Sequence, residues 1–213
     1  MSMSSSSSGS QAPAWEPPLF QALLGDQRGS GASKTGVPKR EHGNELELGS
    51  ELKGHRMKPR VYIETTIPSY LTAWQSPQLV MAANQQVTRE WWDDRRGEFE
   101  LYCSELVVEE ASAGDPDAAT RRLAAIQEIP LLAGGELADE LARALLAEIP
   151  LPAKAAADAL HIAIAATNGI DYLLTWNCTH IANAEFRDRM VAICQSFGLR
   201  CPTICTPQEL LAR

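Results

Sequence analysis

The sequence holds no run of about 18 unbroken apolar residues, so nothing in it reads as a membrane-spanning helix. Its first residues also lack the basic stretch and apolar core of a secretory leader. Both absences lead us to expect a cytoplasmic protein that does not engage a membrane. No Gly-x-Gly-x-x-Gly or Walker-type loop follows any apolar run, which removes the commonest nucleotide-binding classes. The segment VYIETT lacks the two aspartates, two residues apart, that a phosphohydrolase with an aspartyl nucleophile would carry.

A paired cysteine framework is missing as well. Five cysteines (Cys103, Cys178, Cys194, Cys201 and Cys205) are odd in number and irregular in spacing, which fits reduced, mostly buried thiols. The alternative is a zinc site from Cys178, His180, Cys201 and Cys205, but its C-x-H and C-x-x-x-C spacings depart from common structural zinc patterns. Positive charge is in deficit: 19 Lys and Arg stand against 27 Asp and Glu, for a net charge of -8. Binding a polyanion normally draws on Lys and Arg. Either nucleic acid is not the ligand, or the carboxylates gather around a divalent cation that bridges them to phosphate.

What the chain does contain divides at Met57. Residues 1–56 open with MSMSSSSSGSQ and show neither helical nor alternating periodicity, so they read as a disordered extension. Within them Trp15, Leu19, Phe20 and Leu23 could form a short docking helix. Their six basic and six acidic residues cancel, so the whole charge of -8 falls on residues 57–213. At MKPRVYIETTIPSYL the character becomes that of a folded domain, which makes Met57 the expected natural start.

From there strands and helices alternate. Residues 61–64 read as a buried strand delivering Glu64 at its end, with Pro68 suited to the first turn of the next helix. A helix over 78–96 keeps Leu79, Ala83, Val87 and Trp91 in register, with Trp91 and Trp92 as core anchors, and residues 99–103 resume as a strand. Ser104 is placed to cap the helix holding VVEEA, and Gly114-Asp115-Pro116 ends it before the helix ATRRLAAIQEI. Residues 130–132 give a third strand, 136–148 an amphipathic helix, and 153–169 an apolar helix stopped by Gly169. The segment DYLLTWN, a helix including 191–197, a strand at 202–205 and a turn of helix after Thr206 complete the pattern. Such alternation implies an α/β fold, a mostly parallel sheet of four to five strands flanked by helices.

In such sheets ligands bind beyond the carboxyl ends of the strands. Glu64, Glu110, Asp158 and Asn177 fall where four segments can bring hard oxygen donors there, a set suited to Mg2+ or Mn2+. Asp158 is the most informative, because its helix is otherwise almost wholly apolar and a buried charge needs a partner. The competing reading places it on a solvent face or pairs it with Lys154. Arg89, Arg95, Arg96, Arg121 and Arg122 are candidate phosphate-steering cations or simply solvated helix charges.

The segments VYIETTIPSYL, SELVVEEASAGD, ADALHIAIA and DYLLTWN, in that order, resemble the PIN domain family, whose members include VapC-type toxins; the resemblance covers essentially all of 57–213. It implies a PIN-like fold and a metal-dependent endoribonuclease with Glu64, Glu110, Asp158 and Asn177 as catalytic metal ligands. Glu64 stands where the family usually has Asp, and Asn177 where Asp or Asn occurs. Thr66, His161, Thr175 and His180 would support those ligands or contact phosphate. The implied partners are RNA, a cognate antitoxin and a second copy of the chain. A PIN-like nucleic-acid-binding protein with weak or no catalysis is the alternative. If Met57 is the natural start, mass spectrometry of the protein made from its own genome will show no peptide from residues 1–56; such peptides would remove that reading.

Overall fold

A computed structural model describes residues 58–150, 152 and 155–211. The expected N-terminal extension, its docking helix, Met57 and Lys154 all lie outside the described residues. The elements run β1 (Arg60–Ile63), α1 (Thr66–Thr72), α2 (Leu79–Asp94), a 3-10 turn (Arg96–Glu98), β2 (Glu100–Ser104), α3 (Glu105–Ser112) and α4 (Pro116–Ile126). They continue with β3 (Leu131–Leu132), α5 (Glu136–Glu148), α6 (Ala156–Thr167), β4 (Tyr172–Leu174), α7 (Arg187–Ser196), β5 (Thr203–Cys205) and α8 (Pro207–Leu211).

All five strands are parallel, in the order β3-β2-β1-β4-β5. The α/β architecture is the one the alternation predicts, and the order is consistent with PIN-like topology. Side chains alternate along β1, so Val61 and Ile63 enter one core and Tyr62 the other. The first core also holds Ile67 of α1, Trp91 and Trp92 of α2, and Leu174. The second, larger core takes Tyr62 and Leu173 together with α3, α5, α6 and α7. Burial on both faces explains why β1 and β4 read as apolar runs without alternation. Trp91 and Trp92 are core residues, as expected.

Local chemistry sets the helix ends. Ser104 Oγ accepts from Val107 N–H at 3.4 Å and caps α3. Asp115 does more than interrupt the chain, because its Oδ1 accepts from Ala118 N–H at 2.9 Å and Pro116 opens α4. Gly114 takes φ 85° in the intervening turn, a conformation costly for any side chain bearing a Cβ. β4 is shorter than DYLLTWN suggests, ending at Leu174, and beyond it Thr175 Oγ1 and Asn177 Nδ2 donate to Glu64 and Asp158.

The chain moves from β1 to β2 and β3 on one side, then crosses back to β4 and β5 on the other. At such a reversal an α/β sheet has its ligand crevice, which here falls beyond the carboxyl ends of β1 and β4. Leu145 of α5 is fully buried in the larger core. Leu145→Ala is expected to cost about 2–5 kcal/mol in urea unfolding; a loss below about 1 kcal/mol would contradict that packing.

Candidate functional site

Glu64 follows the last residue of β1 and is only 4% exposed. Its Oε2 accepts from Thr66 N–H at 3.1 Å, from the Thr66 hydroxyl, and from Thr175 Oγ1 at 2.7 Å. Both hydroxyls also accept: Thr66 Oγ1 from Trp176 N–H at 2.8 Å, and Thr175 Oγ1 from Asn177 N–H at 2.9 Å. One carboxylate therefore ties the end of β1 to the start of α1 and the end of β4. Burial raises its pKa, against the opposing effects of the His161 charge and the hydrogen bonds from Thr66 and Thr175.

Glu110 comes from the last turn of α3. Its Oε2 accepts from the Thr65 hydroxyl and from His161 Nε2 at 3.0 Å. His161, 1% exposed on α6, turns Nδ1 to the Tyr62 hydroxyl at 2.8 Å, and that hydroxyl meets Ser104 Oγ at 2.6 Å. A neutral His161 accepts from Tyr62 at Nδ1, whereas a charged one donates to it; Nε2–H donates to Glu110 in both states. Burial alone would lower the His161 pKa, but the hydrogen bond and charge of Glu110, joined by Glu64 and Asp158, raise it overall. Glu110 moves down: burial pushes upward, and His161 and Thr65 outweigh it. Burial, above all, holds Tyr62 well above the ordinary phenol range, so it stays protonated.

Asp158 sits in the first turn of α6. Its Oδ1 accepts from Asn177 Nδ2 at 2.8 Å, and its Oδ2 lies 2.7 Å from His180 Nδ1. Asn177 Oδ1 in turn accepts from His180 N–H at 3.1 Å. Burial raises the Asp158 pKa; the His180 hydrogen bond and the His161 and His180 charges oppose it, and Glu110 adds to it.

The four expected ligands fall into two hydrogen-bonded groups. Ligand atoms of Glu64, Glu110 and His161 all lie within 4.8 Å of one another, whereas Asp158 and Asn177 pair with each other and with His180 beside them. Asn177 contributes its amide nitrogen to Asp158 and spends its oxygen on a backbone N–H, so in this arrangement it orients the aspartate. No other metal-capable group of three or more His, Cys, Asp or Glu is found among the described residues, so the zinc alternative does not form. His180 is committed to Asp158, Cys205 is buried in β5, and Cys201 packs against the larger core.

Compared with family models, curated proteins and solved structures, the chain matches none. The geometry of its own residues therefore carries the functional argument.

Most of the arginines offered as phosphate-steering groups serve the fold. Arg89 donates to the carbonyls of Leu71 and Ala73 at 3.4 and 2.8 Å, and Arg121 to that of Thr72 at 3.3 Å, which closes the end of α1. Arg122 closes α3 by donating to Ala111 and Ala113. Arg95 holds the Leu211 carbonyl at 2.7 Å and Arg96 lies 4.9 Å over the Trp92 ring. Thr65, Tyr62 and Ser104 were missed as site residues. Strand alternation places Tyr62 opposite Val61 and Ile63, and the doublet after Glu64 hints at Thr65, but Ser104 shows only its capping role.

Because the folded-state pKa of His161 is raised, its ion pair contributes stability in full below pH 6.5 and loses it as pH rises through the folded value. In chelator, the stability advantage of wild type over His161→Gln should shrink from pH 6.5 upward in urea unfolding. An advantage that does not change with pH would rule out the charged pair.

Proposed function

We propose that this protein is a PIN-like, metal-dependent endoribonuclease, with Glu64, Glu110 and Asp158 as the carboxylates that hold a divalent cation. The observation that carries this reading is a buried glutamate at the end of the central strand, faced by Glu110 from α3 in the crevice where the strand order reverses. Burial holds Glu64 and Asp158 above their ordinary pKa, and a bound divalent cation would offset that cost. Their hard oxygens suit Mg2+ or Mn2+. When bound, such a cation supplies Lewis acidity toward a phosphodiester and lowers the pKa of a water.

The chain's own groups then have separate tasks. Thr66 and Thr175 fix the Glu64 carboxylate, and Thr65 and His161 fix that of Glu110. Asn177 and His180 orient Asp158 from the β4 side. His180, with its side chain 21% exposed, is the histidine of the crevice that can reach a phosphate oxygen. RNA is the proposed substrate, and a toxin role with a cognate antitoxin belongs to the same reading.

A second reading, RNA binding with weak catalysis, is favoured by the engagement of the Asn177 oxygen with His180 N–H. Mg2+ and Mn2+ titrations that follow RNA binding and RNA cleavage separately distinguish the two. For the nuclease, Asp158→Asn and Glu110→Gln should each lower metal-dependent cleavage by about 10- to 100-fold or more while RNA is still bound. Full cleavage by both variants would remove the site assignment, and binding without cleavage by wild type would favour the second reading.

A further inference from the structure

The aromatic side chains outside the carboxylate site divide by what covers them. Trp91, Trp92, Phe99 and Tyr172 meet one another around the first core. Trp74 is 82% exposed, and Arg121 of α4 lies 5.4 Å over its ring. Tyr70 differs from both. It is half-buried on α1, packs against neither core, and lays its ring along that of Trp176, with centroids 6.0 Å apart and planes at 23°. Offset stacking of this kind is favourable between aromatic rings.

Trp176 is the fixed member of the pair. Its backbone N–H donates to Thr66 Oγ1 at 2.8 Å, and its indole Nε1–H donates to Thr88 Oγ1 at 2.7 Å. Thr88 is fully buried, and its hydroxyl donates in turn to the Asn84 carbonyl at 2.7 Å. The indole therefore cannot turn without breaking a bond to a buried partner. Its neighbours in sequence, Thr175 and Asn177, hold Glu64 and Asp158. Tyr70 stands one helical turn after Thr66 and so on the same face of α1, and Thr66 is the other residue whose hydroxyl holds Glu64. The stack thus joins α1 to the turn after β4 beside the groups that position the carboxylates. The Tyr70 hydroxyl takes no partner among the described residues and is not buried, so the outer end of the ring meets solvent.

We propose that Tyr70, backed by Trp176, is a stacking platform for a base of the RNA next to the phosphate at the carboxylates. The identity of the ligand rests on the nuclease reading of that site. Every nucleobase presents a flat π-face, and a ring already supported from behind receives it with little loss of side-chain freedom. Such a platform adds binding without adding positive charge. That suits a crevice whose nearby arginines, Arg89, Arg121 and Arg122, donate to helix-end carbonyls.

The test measures dissociation constants by fluorescence anisotropy, using the full chain and a short labelled single-stranded RNA. Ca2+ serves as a hard cation for the carboxylates, and gels confirm that the RNA stays intact. A second series of RNAs lacks one base each, position by position. Tyr70→Leu keeps an apolar side chain without a π-face and should weaken binding of the intact RNA about 10-fold, whereas Tyr70→Phe should stay within about twofold of wild type. In wild type one abasic position should reproduce that loss, and in Tyr70→Leu the same position should cost nothing further. Wild-type affinity in Tyr70→Leu, equal losses in Tyr70→Leu and Tyr70→Phe, or an abasic loss that persists in Tyr70→Leu would overturn the platform and leave the carboxylate site standing. RNA bound through Tyr70 but left uncut in Mg2+ and Mn2+ would keep the platform and remove the nuclease. No RNA binding by wild type would overturn both.

Discussion

The burial of Glu64 is the constraint on which the candidate site depends. A carboxylate removed from water at the end of a central strand must be met by donors or give up its charge. Three bonds converge on one of its oxygens, one from a backbone N–H and two from hydroxyls that are themselves held by the backbone N–H groups of Trp176 and Asn177. The start of α1 and the turn after β4 are therefore fixed with respect to β1 by one side chain.

Two further groups build outward from that point. On one side, Ser104, Tyr62, His161 and Glu110 form a buried chain that remains hydrogen-bonded whether or not the histidine carries a second proton. On the other, Asn177 and His180 hold Asp158. The arms respond differently to burial. Glu110 has a histidine as direct partner and is held below the ordinary carboxylate range; Glu64 and Asp158 are raised despite their hydrogen bonds. In a crevice of this kind, histidine protonation and cation binding are alternative ways of offsetting the same negative charge.

Element type was legible in the sequence wherever periodicity or punctuation was strong. The apolar strand before Glu64, the cap at Ser104 and the glycine stop after α6 follow from local physical chemistry, and the parallel sheet follows from strand-helix alternation. The acidic positions were legible as strand-end and helix carboxylates. Their partners were not. Nothing local shows that His161, three residues after Asp158 on α6, faces Glu110, because that contact is set by how α6 packs against α3 and β1. The division of Asn177 was hidden for a similar reason: its oxygen is taken by a backbone N–H three residues on, a turn preference that competes with coordination. The arginines misled because a charge on a helix looks the same in sequence whether it is solvated or closes a neighbouring helix end.

That last point bears on how an acidic domain could approach RNA. Arg89, Arg121 and Arg122 donate to the terminal carbonyls of α1 and α3, the two helices that carry Thr66 and Glu110. Their charge is used near the crevice to complete helix ends, where it also complements the helix dipoles. Attraction for phosphate must then come from within the crevice, and a divalent cation held by the carboxylates is the group able to reverse the local sign. The negative charge of the domain and the proposed handling of a polyanion are compatible on that condition, so in the proposed reading a cation would assist substrate approach as well as supply the chemistry.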